Sequence, residues 1–410
     1  MLFNSIKLLN SFIENFFNKK KENVIYLIFF AIFIILYLFD FEHYNTTFAT
    51  DYQVRYKTFG LDIVNQILNL DFSSNFLLFG QPNHYAFFNS YFVPELITGV
   101  LLYLTPNEQI FSIISNFLNM FLLFFSIKFF FNSLDTKYKN QVTFIFFIFF
   151  FAYIANWVWV FWKLAEIYFL FIFSLIFFFM SKGIKDKKFN CIVTSFFLIC
   201  LLFITKPQAL AVIPFFLSSI ILLYYKKFNF LKFLIFIILS YLIFFPLFIF
   251  FVMKFNGTNM LTYFYLDGKI NGIIYYNYEE FLNQFSLLKS DFTELLYYYF
   301  LILKKVIYQI TFIRESYSIR HNIFLIPYTL AFYFFLIINL DYLIKNYNLF
   351  FKLTILIYIF TIMLHSSLGT SAEPNRTILF NLIPMYILAS ISFQRCLQII
   401  YSYYFNCRKI

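Results

Sequence analysis

Apolar residues run in long, nearly unbroken blocks separated by short polar gaps along most of the chain. Blocks at about residues 24–40, 108–131, 142–162, 166–181, 189–204, 207–225, 230–252, 322–340, 349–365 and 377–394 each predict a helix. At 1.5 Å of rise per residue, most are long enough to cover a hydrocarbon layer of ~30 Å, the shortest of them marginally. The expected fold class is all-α: a polytopic transmembrane helical bundle of about ten spanning helices. Between Leu61 and Leu70 the pattern changes. Leu61, Ile63, Val64, Ile67, Leu68 and Leu70 alternate with Asp62, Asn65, Gln66 and Asn69, which predicts an amphipathic helix lying on the membrane surface.

Lysine and arginine fix the expected orientation, because short basic loops stay cytoplasmic. With ten helices counted in order, one side receives the basic amino terminus, Lys137 and Lys139, Lys182 to Lys188, Lys226 and Lys227, Lys345, and Arg395 with Arg408 and Lys409. Both termini then lie inside, and residues 41–107 and 253–321 form outer loops. Residues 91–104 could also span, but that extra crossing would export the lysine cluster, so they are read as an in-plane or re-entrant helix. The organisation expected is a transmembrane module over 1–252 that includes the first outer loop, an outer region over 253–321, and carboxyl-terminal transmembrane helices over 322–410. The run from Val24 to Phe39, preceded by Lys19 to Lys21 and lacking a small-residue cleavage site, reads as an uncleaved signal anchor.

Composition supports the bilayer as solvent: 62% of the 410 residues are hydrophobic and 12% charged, against ~45–50% apolar in soluble chains. The 70 Phe and 33 Tyr have a plain explanation in the codon bias of an AT-rich genome. The net charge of +11 is read as an orientation signal, and no nucleic-acid partner is expected. Cys191, Cys200, Cys396 and Cys407 lack CxxC spacing, so no disulfide framework or zinc site follows. His43, His84, His321 and His365 show no close ligand spacing; neither a metal nor a cofactor is expected. Asn45, Asn256 and Asn375 each begin an Asn-x-Thr pattern, which matters only in a glycosylating compartment.

Candidate chemistry gathers on the predicted outer side. In Thr50-Asp51-Tyr52-Gln53-Val54-Arg55-Tyr56 a carboxylate and a guanidinium lie within one helical turn. Asp51 could take a proton from an attacking hydroxyl, and Arg55 could hold a phosphate through two parallel hydrogen bonds. The plain alternative is a surface ion pair worth ~0–1 kcal/mol. Asp40 and Glu42 are further acidic candidates, while Asp62, Asp71 and Glu95 complete the acidic loop. Glu166 follows Trp157, Trp159, Trp162 and Lys163 where one helix leaves the bilayer and the next enters; the tryptophans fit an interfacial belt. A carboxylate at that boundary suits function, and a Lys163–Glu166 pair at helical spacing is the plain alternative. Thr205-Lys206-Pro207-Gln208 interrupts a long apolar stretch: the proline accounts for the break, but not for a lysine on the cation-poor side. Lys206, and Arg376 in Glu373-Pro374-Asn375-Arg376, suit either phosphate neutralisation or snorkelling.

This order of features resembles the GT-C superfamily of membrane glycosyltransferases, which includes protein mannosyltransferases, bacterial aminoarabinose transferases and polyprenyl-phosphate-mannose-dependent mannosyltransferases. The resemblance covers about residues 24–252, with a looser echo near the carboxyl end. Asp51, Arg55 and Tyr56 are similar to the acid-then-Arg-Tyr cluster of the first outer loop, one residue longer in spacing than in the aminoarabinose enzymes. Asp40-Phe41-Glu42 matches an acid-x-acid form, and Glu166 matches the acidic residue of the next outer loop. Thr205 to Pro214 resembles the Lys-Pro segment leading into a helix, and Arg376 before Pro384 resembles a late Arg-then-Pro pattern. The resemblance implies inverting transfer of a sugar from a polyprenyl-phosphate carrier to a lipid, glycan or protein acceptor. Asp51 would be the base, with Glu166 the second acid and Arg55, Tyr56, Lys206, Gln208 and Arg376 binding the donor. Such a donor does not itself demand a metal. A bacterial inner membrane is the expected location, with the endoplasmic reticulum as the alternative. The competing class is a transporter or a lipid or oligosaccharide flippase, which internal repeats and mid-membrane ionisable residues would favour.

Overall fold

A computed structural model of the protein describes residues 22–46, 52–70, 91–134, 139–153, 156–206, 209, 211–224, 229–239, 306, 310, 319–367 and 379–407. Every regular element among the described residues is helical. The first group is α1 (Glu22–Phe39), α2 (Phe41–Thr46), a π-helical turn (Tyr52–Tyr56), α3 (Lys57–Leu68), α4 (Phe92–Leu104) and α5 (Glu108–Asn132). There follow α6 (Lys139–Ala152), a 3-10 turn (Val158–Trp162), α7 (Glu166–Asp186), α8 (Phe189–Phe203), α9 (Val212–Tyr224) and α10 (Phe230–Leu239). The last group is α11 (Ile319–Ile337), α12 (Leu340–Asn346), α13 (Asn348–Ser367) and α14 (Leu379–Cys407).

Three of these helices are long and apolar enough to cross a membrane: α5, α7 and the Phe380–Tyr403 part of α14. A fourth crossing is available if Leu325–Ile337 and Leu340–Asn346, bent by 52° at their junction, act as one span. Helix α6 is shorter than its sequence block and the α11 block is bent, and polar side chains explain both. The block at 142–162 ends as a helix at Ala152 because Asn156 donates its amide to the Phe150 carbonyl (3.0 Å), and its own carbonyl accepts the Trp159 indole N–H (2.9 Å). The block at 322–340 bends near Asn339, whose amide donates to the Ser392 carbonyl and hydroxyl of α14, both at 3.0 Å. By contrast α14 continues past residue 394 to Cys407, with the Arg395 guanidinium 5.1 Å from the Tyr342 ring centroid.

Helix α7 sits at the centre. Its Phe173 and Phe177 meet Phe130 of α5, Phe215 of α9 and, respectively, Phe380 of α14 (5.0 Å) and Phe350 of α13 (5.4 Å). Phe29 of α1 stacks on Phe147 of α6 at 4.6 Å. One hydrophobic cluster thus runs from Ile25 to Ile391 and unites the first and last described helices. Lipid tails are as apolar as these rings, so helix association rests on close packing and interhelical hydrogen bonds. Phe121, Phe125, Phe196 and Phe197 remain exposed, as a lipid-facing surface allows. Codon bias can supply phenylalanine, but here the rings also build the core.

Helices α5 and α7 run parallel. Phe130 meets Phe177, and farther along the Ser181 hydroxyl reaches the Ser133 carbonyl at 3.4 Å. Glu108 and Glu166, which begin the two helices, therefore share one end of the bundle. Lys182, Lys185, Lys187 and Lys188 gather at the other.

Candidate functional site

At the Glu166 end, segments distant in sequence converge. Helix α8 ends at Phe203, four residues before Pro207, a residue that bars any continuation of the helix. The chain turns there: Lys206 N–H bonds the Leu202 carbonyl at 3.2 Å and the Thr205 hydroxyl bonds the Leu201 carbonyl at 2.8 Å. This turn carries Lys206 to Glu166, the first residue of α7, with Nζ to Oε1 at 2.7 Å and both side chains almost fully buried. A carboxylate at a helix amino terminus is favoured by the macrodipole, but burying two ions costs several kcal/mol each before their attraction offsets it. Glu166 thus pairs with Lys206, forty residues on.

Lys163 has a left-handed backbone (φ 53°) that ends the 3-10 turn, and its buried ammonium donates to the Tyr44 carbonyl of α2 at 2.6 Å. Burial lowers its pKa to about 7. Asn116 of α5 also donates to the Tyr44 carbonyl (3.3 Å) and to Asn45 Oδ1 (3.2 Å). The same oxygen accepts from the Tyr37 hydroxyl at 2.9 Å and the Ser112 hydroxyl at 3.2 Å. One turn along α5, Asn119 donates to the Val160 carbonyl at 2.9 Å. Ser112, Asn116 and Asn119 form a buried polar stripe at helical spacing inside an apolar helix, a pattern visible in the sequence. Asn45, read from sequence as a possible glycosylation acceptor, is buried with its amide nitrogen bonded to the Phe41 carbonyl at 2.7 Å.

The Lys163 shift has a measurable sign. Between pH 7 and about 10, the unfolded chain holds a proton at this lysine that the folded protein releases, so stability rises with pH across that window. Above it, Tyr44 acts oppositely: burial and then the Asp40 charge raise its pKa, which makes the folded state the stronger proton binder. Melting curves of purified protein in detergent should show Tm rising from pH 7 to 9.5, with a smaller rise in Lys163→Met. Equal slopes in the two proteins would refute the assignment.

The first-loop segment reaches the same place. Tyr52 and Tyr56, on one face of the π-helical turn, are buried with Phe111 and Ala165, the residue before Glu166. Burial, then the Glu108 carboxylate, raises the Tyr52 pKa, so its phenol stays protonated. Beyond the turn, Lys57 forms an ion pair with Glu108. Helix α4 joins through Val93 N–H to the Ile204 carbonyl (3.0 Å), two residues before Lys206, and Glu95 in its first turn is fully buried. Helices α3 and α4 cross at Gly60 and Gly99 with their backbones in contact: a Cβ on Gly60 would stand 2.8 Å from Gly99 N, and one on Gly99 would stand 2.9 Å from Gly60 Cα. The thirteen-residue α4 is about 20 Å long, too short to cross ~30 Å.

Of the residues singled out by sequence, Glu166, Lys206 and Tyr56 come together here. Asp40 and Glu42 are exposed, at the end of α1 and in α2. Arg55 belongs to the π-helical turn, but its side chain lies outside the described set, as do Asp51, Gln208 and Arg376. The proposed tryptophan belt is corrected in part: Trp157 and Trp159 are buried in the core and only Trp162 is half-buried. No group of His, Cys, Asp and Glu among the described residues could hold a metal ion. The chain matches no known protein family, no curated protein and no solved structure.

Proposed function

We propose that the protein is an integral-membrane glycosyltransferase of about ten crossings that moves a sugar from a polyprenyl-phosphate carrier to an acceptor hydroxyl with inversion. The observation that carries this reading is the burial of Tyr52 and Tyr56 in one cluster with Phe111 and Ala165, beside the buried Glu166–Lys206 pair. It gathers in one place three of the segments on which the resemblance to GT-C enzymes rests. In this reading the Glu166 end faces outward, the lysine-rich end faces the cytoplasm, and a bacterial inner membrane is the setting.

Asp51 accepts the proton of the acceptor hydroxyl while that oxygen attacks the anomeric carbon from the face opposite the phosphate. The bond between that carbon and the phosphate oxygen breaks, its electron pair staying on the oxygen. Polyprenyl phosphate leaves as a dianion and needs no general acid. Cations placed where charge develops stabilise the transition state: Lys206, steadied by Glu166, with Arg55 and Arg376. Tyr56 and Gln208 complete the donor contacts, and Asp40 and Glu42 are the reserve bases.

Asp51→Asn should abolish transfer of labelled sugar from membrane polyprenyl-phosphate donors while membrane expression is retained. Unchanged transfer would remove Asp51 from the role. A second reading, a transporter or flippase, draws on the bend between α11 and α12 and on the buried chain in which Tyr328 donates to Tyr386 (2.7 Å) and Tyr386 to Asn156 (3.2 Å). Substrate movement in liposomes without transfer by the parent protein would favour it.

A further inference from the structure

We propose that Asn381, in the first turn of α14, is a ligand-contacting residue that reads hydroxyl groups of the donor sugar; the inference rests on the transferase reading. Its side chain is fully buried, and neither Nδ2 nor Oδ1 has a hydrogen-bond partner among the described residues. A carboxamide in that state forfeits the bonds it had in water, a cost that proteins seldom carry without a reason. Other buried amides here have structural tasks. Asn116 and Asn119 each spend Nδ2 on a bond to another segment, and Asn156 bonds on both sides. Asn381 makes no such bond among the described residues.

Its position supplies the second argument. Phe380, the preceding residue, packs its ring 4.8 Å from Phe169 and 5.0 Å from Phe173. Those two residues follow Glu166 by three and seven positions and so share its face of α7. The start of α14 therefore lies between about one and two helical turns, ~5–10 Å, along the bundle from the level of Glu166. Pro384, inside α14, has no N–H to offer the Phe380 carbonyl four residues earlier, which frees a backbone acceptor beside Asn381. Together, an amide donor, an amide acceptor and a freed carbonyl match a group that both gives and takes hydrogen bonds. A sugar hydroxyl does both: it accepts from Nδ2–H and donates to Oδ1. Phosphate only accepts, and a prenyl tail does neither.

The test compares the parent with Asn381→Leu, similar in volume but unable to hydrogen bond. Purified full-length protein in detergent is titrated with undecaprenyl phosphate and with undecaprenyl-phosphate mannose, and Tm is followed by tryptophan fluorescence. The sugar-bearing lipid should bind the parent more tightly than the bare lipid, and Asn381→Leu should lose that preference by about tenfold or more, as expected for two lost hydrogen bonds. Affinity for the bare lipid should not change, and Tm without ligand should be equal or higher. A preference that survives in Asn381→Leu overturns the inference alone. A lower Tm for Asn381→Leu or Asn381→Thr also overturns it, because the amide would then be holding the fold. If the parent makes no distinction between the two lipids, with this sugar or with glucose or aminoarabinose in its place, both the inference and the transferase reading fail.

Discussion

Replacing Lys206 with methionine should destabilise the protein by about 3–5 kcal/mol, the usual consequence of leaving one member of a buried ion pair without its counter-charge. Glu166 would remain at the start of α7, excluded from water, with the 2.7 Å contact gone. Glu166→Gln combined with Lys206→Met should recover most of the loss, because two neutral groups of similar size have no charge to desolvate. The measurement is a double-mutant cycle on Tm or denaturant midpoints in detergent. A coupling close to zero would mean that the pair is solvated in the working protein. Transfer should fall sharply in the double variant even where the fold is restored, since Lys206 no longer faces the leaving phosphate. That split between recovered stability and reduced activity separates the structural role of the pair from its chemical one.

Gly99→Leu should be as damaging by a different route. Helices α3 and α4 approach until backbone meets backbone, and any side chain at Gly99 must push the Gly60 carbonyl and Cα away. No flexible side chain lies there to yield. The α3–α4 crossing would open, and α3 continues directly from the turn that buries Tyr52 and Tyr56 in one cluster with Phe111 and Ala165. A displacement of ~1 Å in a catalytic segment can cost about a hundredfold in rate. Transfer by Gly99→Leu should therefore fall by about that factor or more, with a lower Tm. Gly183 is the control: a Cβ there meets the Ile192 side chain at 3.0 Å and Cys191 Cβ at 3.3 Å, groups able to shift slightly. Gly183→Ala should leave transfer within about twofold, and a loss equal to that of Gly99→Leu would show that helix crossings in general, and not this one, limit activity.

Much of the helical plan was legible because apolar block length is a direct consequence of hydrocarbon thickness. The starts of α5, α7 and α8 fall where the sequence changes from polar to apolar. Block ends were harder to read where a single asparagine intervenes. Asn156 and Asn339 stop or bend helices by bonding to carbonyls that only the folded chain brings near, so hydropathy averaged over a block misses them. At the candidate site, sequence singled out Glu166, Lys206 and Tyr56 by their charge or motif, each unusual for its place. It did not reveal their partners. Spacing offered Lys163 to Glu166, and the fold brought Lys206 to Glu166 and the Tyr44 carbonyl to Lys163.

What the sequence alone determined is the class: an all-helical, apolar chain whose charges divide between the ends of its helices, because hydrocarbon penalises unsatisfied backbone and buried ions wherever they occur along a chain. What only the tertiary structure decided is which of those charges meet. Lys206 reaches Glu166 because the chain turns after α8, and the tyrosine turn joins the cluster of Ala165 where two glycines let α3 and α4 touch. Such contacts depend on distances across the bundle, which no local pattern encodes.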